Sequence, residues 1–414
     1  MQDWTMNKLT KLSIKKFRNV APTTLEFRPG LNVLLGKNAA GKTTLLRLLS
    51  TVVGTPDKAL RDDLLDVSYR VSGTSLDFEH TITRTRVDEL VLPTEPGRPM
   101  RAEFSNLQQT DSFVFEKDGL VVAKAKVLPN KVTFERAGQQ SSVELRFMLR
   151  SPFASFFLAL LSTKQDSATH ELMEEINSSR IGSAGRMDES LDRLDALIDL
   201  EVTREGSSKS STWNIENVPR SMYEMLSDSM PEGTSATFSL EFLERAARVL
   251  GYESASARFD VERLSPEPSQ QIVRLSNLRF FFKRPGEEVS HDLLSYGQKR
   301  LLSFFAHADA SQDMIVADEL VNGLHHEWIS ACLNEIGDRQ AFLTSQNPLL
   351  LDFLRFDSAE EVRRTFILCE RASGKPGPQL IWRNPTEEEA ESFFSAYQTG
   401  IQRVSDILLT KGLW

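Results

Sequence analysis

Apolar and polar positions change period several times along the chain. In LTKLSIKKFRNV, residues 9–20, Leu12, Ile14 and Phe17 fall on one face, as in a half-buried strand. LNVLLG, residues 31–36, is a short continuous apolar run, the pattern of a fully buried strand. Pro29-Gly30 marks the turn before it. From 43 to 53 the period lengthens, and Leu45, Leu46, Leu48 and Leu49 recur at helical spacing.

From 65 to 150 the pattern is short and alternating. DVSYRVSG, SLDFEHTITRTR, DSFVFEK, LVVAKAKV and KVTFERA are broken by Gly, Asn or Asp, which predicts an antiparallel meander. From 151 to 260 the pattern is helical in FASFFLALLS, HELMEEINSS, ESLDRLDALIDLE and SLEFLERAARVLG, with Gly/Ser-rich loops between. Strand patterns return at 271–284, 314–317, 341–344 and 365–370, and a final helix is expected within 386–410. No internal repeat is visible. Three parts are expected: 1–150, a helical insertion at 151–270, and 271–414.

The 414 residues, 40% of them hydrophobic, suffice for a large core. A charged fraction of 26% is that of an ordinary globular chain. The net charge of −9 argues against sequence-independent wrapping of nucleic acid, although a local basic groove is compatible with it. Arg84, Arg86, Lys124, Lys126 and Lys131 are the candidates for such a groove in the meander. Cys332 and Cys369 alone do not make a disulfide framework, which fits a reducing cytoplasm. The start has no apolar signal region and no window is long enough to span a bilayer, so a cytoplasmic protein without a membrane is expected.

The run Gly36-Lys37-Asn38-Ala39-Ala40-Gly41-Lys42-Thr43 lies between a predicted strand and a predicted helix, the setting of a phosphate-binding P-loop. Gly36 and Gly41 let backbone N–H groups converge on phosphate oxygens, and the helix beginning there adds its positive end. Lys42 would reach the β- and γ-phosphates of ATP, and Thr43 would offer a hydroxyl to Mg²⁺, with Thr44 beside it. MIVA, 314–317, ends in Asp318-Glu319. A carboxylate at such a strand tip is placed to polarise Mg²⁺, the role given to Asp318, while Glu319 would orient or deprotonate the attacking water. A third polar strand tip, Thr344-Ser345-Gln346, is a candidate sensor of the γ-phosphate and equally a plain turn before Pro348.

Leu294-Ser295-Tyr296-Gly297-Gln298 precedes an apolar helical run, and Ser295 alone is a competent helix N-cap. Together with the loop and the carboxylate pair, it resembles the LSGGQ-like signature of ABC-type ATPases. The resemblance implies that Ser295, Gly297 and Gln298 bind the γ-phosphate held by another subunit, so that two copies close over ATP. Tyr296 stands where the family has its first signature glycine. The 253 positions from Lys42 to Ser295 exceed the spacing of transporter ATPases. LSIKKFRNV is similar to the first strand of SMC-type and RecF-like ATPases, which implies that Arg18 lies near the phosphates. ADELVNGLHHEW resembles a run in the OLD family, whose relatives include ATPases of anti-phage systems, and the YQTGIQRVSDILLTKGLW tail looks like theirs. The likeness covers about 1–50 and 290–414 and is thin over 150–270.

Gln346 replaces a family histidine; it donates a hydrogen bond but carries no titratable proton, which implies slow hydrolysis or a tight ATP state. Gln139, Gln140 and Gln165 are equal candidates for a further glutamine reaching Mg²⁺. His325 is read as positioning the loop after Glu319. Only 95 residues follow Glu319, too few for the nuclease domain of OLD proteins, so effector activity is expected on another chain.

The expected fold is α/β, a P-loop NTPase of ABC type with an antiparallel β-meander and an inserted helical lobe. The expected function is a Mg²⁺-ATP-dependent ATPase, at least dimeric, that switches a separate nuclease or toxin in anti-phage defence. The alternatives are a RecF-like DNA-repair ATPase on duplex DNA and an ATP-stabilised oligomeric scaffold that sequesters a partner protein.

Overall fold

The first strand, β1 (Lys8–Phe17), buries Leu9, Leu12, Ile14 and Phe17, although their spacing is not a strict alternation. Register shifts at Leu9/Lys11 and Ile14/Lys16 re-aim the side chains, so all four face inward. In this computed structural model the described residues are 6–87, 107–145, 151–163, 166–205, 211–213, 218–228, 232–267, 270–345, 347–373 and 377–413. The chain forms two compact units. Unit 1 holds residues 1–181, 356–399 and 408–414, and unit 2 holds 182–355 and 400–407.

Unit 1 contains an antiparallel sheet of eight strands. β1 lies between β2 (Thr23–Glu26) and β4 (Leu65–Ser72). β5 (Asp77–Arg86), β6 (Leu107–Lys117), β7 (Leu120–Leu128), β8 (Lys131–Arg136) and β9 (Gln139–Glu144) then follow in chain order. This is the expected meander, extended by the first strands of the chain. Helix α2 (Pro152–Thr163) covers its apolar face through Phe153 and Phe156, with ring centroids 4.7 Å from Phe113 and 5.7 Å from Phe115 respectively. Phe113, Phe115 and Phe156 are at most 1% exposed, and each contributes about 1.5–3 kcal/mol of burial. Helix α3 (Ser167–Ser178) follows, capped by Asp166, whose carboxylate accepts from the Thr169 N–H.

The same unit brings the two ends of the chain together. The apolar strand β3 (Leu31–Leu35) pairs in parallel with β19 (Phe366–Ala372), which pairs antiparallel with β20 (Gln379–Arg383). Asn384 joins the ends: its Oδ1 accepts from the Glu26 N–H, and its Nδ2 donates to the carbonyls of Glu26, Arg363 and Phe366. Helices α1 (Lys42–Val52), α10 (Ala359–Thr365) and α11 (Glu387–Gln398) complete the unit.

Unit 2 contains three parallel strands, β10 (Arg186–Met187), β17 (Met314–Ala317) and β18 (Gln340–Thr344). Every residue of β17 and β18 is buried, as parallel strands covered on both faces require. Around them run α4 (Asp192–Ile198), α7 (Tyr296–Asp309), α8 (His326–Ile336) and α9 (Pro348–Leu351), and the division between the units falls within α12 (Val404–Thr410). A second, antiparallel sheet has the order β12 (Ser211–Trp213), β11 (Val202–Glu205), β15 (Gln270–Arg284), β14 (Ser254–Glu267), β13 (Ser235–Phe238). β16 (Glu287–Ser290) pairs with β15. Helix α5 (Arg220–Asp228) belongs to this unit, as does α6 (Glu241–Val249), which lays Phe242 against Phe280 at 6.0 Å.

The structure is α/β, with the loop-bearing strand and the antiparallel meander as expected. Three details differ. Thr23–Glu26 is a separate strand that the sequence pattern did not reveal. Among the described residues, 151–270 hold five helices, but also strands β10 to β13, all of β14 and the start of β15, so the stretch is mixed rather than helical. The expected final helix is two, because Gly400 takes φ +65 after the C-cap Thr399 and ends the first.

Cys332 and Cys369 are both buried and free, and burial pushes both thiols up, that of Cys369 to about 12 against the pull of Lys42. Neither thiol should react with a maleimide at neutral pH in the native protein, while both should react in denaturant. Rapid native labelling of either, read by intact mass, would contradict this packing.

Candidate functional site

In unit 1 the chain leaves β3 at Gly36 with φ +141. A Cβ there would lie 2.1 Å from the carbonyl oxygen of Cys369, so only glycine lets β19 pack flush against the start of the loop. Ala39 and Gly41 also take positive φ, at 64 and 86, which curls the loop back onto α1. The Trp382 indole N–H donates to the Ala40 carbonyl at 3.3 Å and fastens the loop from β20. Lys42, only 8% exposed, donates from Nζ to the carbonyls of Gly36 at 2.7 Å and Lys37 at 3.3 Å. The ammonium thus spans the mouth of its own loop. Helix α1 has no side-chain cap and no acidic residue in its first turn, so its positive end is left for an anion. Lys37, Asn38, Ala39 and Thr43 are exposed, and Gly36, Gly41 and Thr44 partly so.

Arg18 follows β1 with φ 45. Its Nε donates to Asp63 Oδ2 at 2.9 Å, and its Nη2 to the Ala59 carbonyl at 2.9 Å. The preceding ring, Phe17, lies 6.3 Å from that of Trp382, so Arg18 is one residue from the wall of the phosphate loop.

In unit 2 the tip of β17 carries Asp318, 6% exposed. Its Oδ1 accepts from Thr344 Oγ1 at 2.5 Å, and its Oδ2 pairs with Arg186 Nη1 at 3.4 Å. Thr344 Oγ1 in turn accepts from the Glu319 N–H at 2.8 Å, so β18 holds both acidic residues. Glu319 itself takes φ 52 and starts a turn closed by Asn322 N–H to its carbonyl at 3.2 Å. Arg186 also pairs with Asp188 at 3.0 Å. Burial would raise the Asp188 carboxyl, but hydrogen bonds from Ser190 and the Arg186 charge outweigh it and hold the group low.

The opening of α7 is a capping box. Ser295 Oγ accepts from the Gln298 N–H at 3.4 Å, and Gln298 Oε1 accepts from the Ser295 N–H at 2.8 Å. A Cβ on Gly297 would lie 2.7 Å from the Gly323 carbonyl oxygen, so this glycine lets the helix start rest on the turn after Glu319. Tyr296 lies against Gly323 and donates from its hydroxyl to the Glu189 carbonyl at 2.5 Å.

Arg300, one turn into α7, is the residue that the sequence pattern missed. It is 0% exposed. Its guanidinium donates to the carbonyls of Asp318 at 3.4 Å, Leu320 at 3.4 Å and Asp188 at 3.3 Å, and to that of Glu319. The side chain therefore ties the signature helix to the backbone of both acidic residues. Its only sequence signal is an arginine on the apolar side of a helix that otherwise buries Leu301, Phe304 and Phe305.

Among the other candidates, Gln139 and Gln140 are exposed on β9, while Gln165 and Gln346 lie outside the described residues. His325 is the N-cap residue of α8 and packs its ring 5.0 Å from Trp328. Among the meander cations, Arg86, Lys124 and Lys126 are exposed, but Arg84 is spent on backbone carbonyls. No group of three or more His, Cys, Asp or Glu suited to a metal occurs among the described residues. The anionic oxygen of Asp318 and the hydroxyl of Thr43 are hard donors of the kind Mg²⁺ takes, and that ion characteristically binds one or two carboxylates and completes its shell with phosphate and water. Each donor, taken in its own unit, is therefore of the type that Mg²⁺ accepts.

Residues 11–88 match the family model described as an AAA domain. The chain is 39% identical over 85 residues to the DNA replication and repair protein RecF of Pediococcus pentosaceus, a match covering 19% of this chain and 22% of that protein. It is 44% identical over 55 residues to RecF of Streptococcus pneumoniae, covering 13% and 15%. The matched segments thus span less than a quarter of these relatives. A crystal structure of an SMC head bound to the C-winged helix domain of ScpA aligns over 91% of this chain and 98% of that one, at 11% identity and a TM-score of 0.42.

Arg300→Met should destabilise the protein by about 3 kcal/mol or more, because it leaves several buried carbonyls unpaired. A urea midpoint shifted by less than 1 kcal/mol equivalent would show that these bonds contribute little.

Proposed function

We propose that this chain is a Mg²⁺-dependent ATPase of the ABC type, of the SMC/RecF-like branch, which closes in pairs over ATP. The observation that carries the reading is the phosphate loop. Gly36 and Gly41 give it its shape, Lys42 bridges it, and the uncapped end of α1 opens onto it. Lys42 and the N–H groups of the loop bind the β- and γ-phosphates, and Arg18 adds a second cation from the end of β1. Thr43 and Asp318 are the proposed ligands of Mg²⁺, which supplies charge neutralisation at the phosphates when bound. Glu319 orients the attacking water and takes its proton. Ser295, Gly297 and Gln298 present the signature helix to the nucleotide of a second copy.

For the biological role we propose a switch that controls a separate effector, a nuclease or a toxin, in anti-phage defence. What supports this part is the ADELVNGLHHEW run and its likeness to OLD-type ATPases. A second reading, an ATPase that acts on duplex DNA, is favoured by the two RecF matches. DNA affinity that needs ATP and falls steeply with salt would select it over the first.

The test pairs ATP turnover with molecular mass in solution. Wild type should hydrolyse ATP, and Lys42→Ala should lose at least about 100-fold in rate, the scale of removing one preorganised charge from a phosphoryl-transfer site. Glu319→Gln should bind ATP, turn it over little, and double in mass with ATP present. Turnover untouched by both substitutions would remove this site from the chemistry.

A further inference from the structure

A polar chain inside unit 1 runs from the meander to Arg18. It starts at Tyr69, whose hydroxyl lies 2.9 Å from His80 Nδ1. His80 Nε2 lies 2.9 Å from Asp111 Oδ1. A carboxylate only accepts, so Nε2 carries the proton, and neutral Nδ1 accepts from Tyr69. Asp111, 4% exposed, also accepts from Gln109 Nε2 at 3.2 and 3.1 Å. That fixes the Gln109 amide with its oxygen toward Arg84, which donates to it from Nη2 at 2.9 Å and Nε at 3.3 Å. The remaining nitrogen of Arg84, Nη1, donates to the carbonyls of Leu60 at 2.8 Å, Arg61 at 3.0 Å and Asp63 at 3.4 Å.

The backbone that Arg84 holds is a strap, residues 57–63, with three attachments. At one end the Asp57 N–H donates to Thr51 Oγ1 of α1 at 3.0 Å, and the Asp57 carboxylate pairs with Arg47 of α1 at 3.5 Å. At the other end Asp63 and Ala59 hold Arg18. Beneath, Arg84 stitches the strap to β5 and, through Gln109 and Asp111, to β6. A planar fork that meets three carbonyls and one fixed amide has a single orientation, which a flexible cation lacks. The strap's height above the sheet, and with it the place of Arg18, is thereby set by residues of the meander.

We infer that Arg84 is a positioning residue for nucleotide binding: through the 57–63 strap it places Arg18 for the phosphates. Arg84 acts without touching the nucleotide. The inference rests on the proposed role of Arg18 at the phosphates. It gives the antiparallel sheet a task in binding, and it withdraws Arg84 from the surface cations open to nucleic acid.

The experiment is a double-mutant cycle on the affinity for ATP with Mg²⁺, measured by calorimetry on the full chain. Arg18→Gln and Arg84→Gln should each weaken binding about tenfold, the scale of one lost charge-assisted hydrogen bond. The double variant should bind no more weakly than Arg18→Gln alone, because Arg84 acts through Arg18. Asp63→Asn, at a partly exposed carboxylate, should give the same tenfold loss and the same non-additivity, and serves if Arg84→Gln does not fold. Losses that multiply to about 100-fold, or unchanged affinity in both Arg84→Gln and Asp63→Asn, would overturn the inference. Lys42→Ala separates the levels: if wild type binds ATP and Lys42→Ala does not, the nucleotide reading stands and the cycle alone decides on Arg84. If wild type binds no ATP, both fall.

Discussion

The phosphate loop depends on one close approach, that of Gly36 to the carbonyl of Cys369. β3 and β19 run in parallel, and their last pair, Leu35 with Leu368, stands just before the glycine. At the next position the chain must leave the sheet with φ +141 while β19 continues beside it. Any side chain there would sit inside the neighbouring backbone. The turn sets where the loop begins, the loop sets where α1 begins, and Lys42 closes across the carbonyls this geometry exposes. A strand from late in the chain thus shapes a motif near its start.

A second regularity is that long polar side chains are used on backbone. Arg300 meets carbonyls behind the acidic pair, Arg84 meets carbonyls of the strap, and Asn384 meets those of three separate segments. Irregular backbone cannot satisfy its own hydrogen bonds as helices and sheets do, and a buried orphan carbonyl costs about 1–3 kcal/mol. Both turns that carry the proposed site residues, after β3 and after β17, are irregular. The side chains that support them therefore matter as much as those that face solvent.

The parts that were legible in the sequence are those whose cause is local. Gly-x-x-x-x-Gly-Lys-Thr announces its own turn. MIVA followed by Asp-Glu announces a buried strand with a polar tip. Ser295 ahead of an apolar helical run announces a helix N-cap, which the structure contains as part of a capping box. What was not legible has causes that lie far along the chain. The strand Thr23–Glu26 is four residues of mixed polarity that become a strand only because β1 lies beside them. β14 reads as part of a helical stretch, and pairing with β15 makes it a strand of 14 residues. Arg84 and Arg300 look like surface charges, because nothing adjacent in sequence reveals the carbonyls they meet. The break in the C-terminal helix at Gly400 was not legible, because a glycine's weight as a stop depends on a left-handed conformation that composition does not report.

In the proposed function the loop from Gly36 to Thr43 holds the phosphates of ATP, with Mg²⁺ supplied alongside. Calorimetric titration of ATP into the wild-type protein, with Mg²⁺ and with the metal chelated, tests it most directly. One ATP per chain should bind saturably and more weakly when Mg²⁺ is withdrawn, with AMP, which lacks the β- and γ-phosphates, binding far less. Absence of ATP binding in either condition, or equal affinity for AMP, would contradict it.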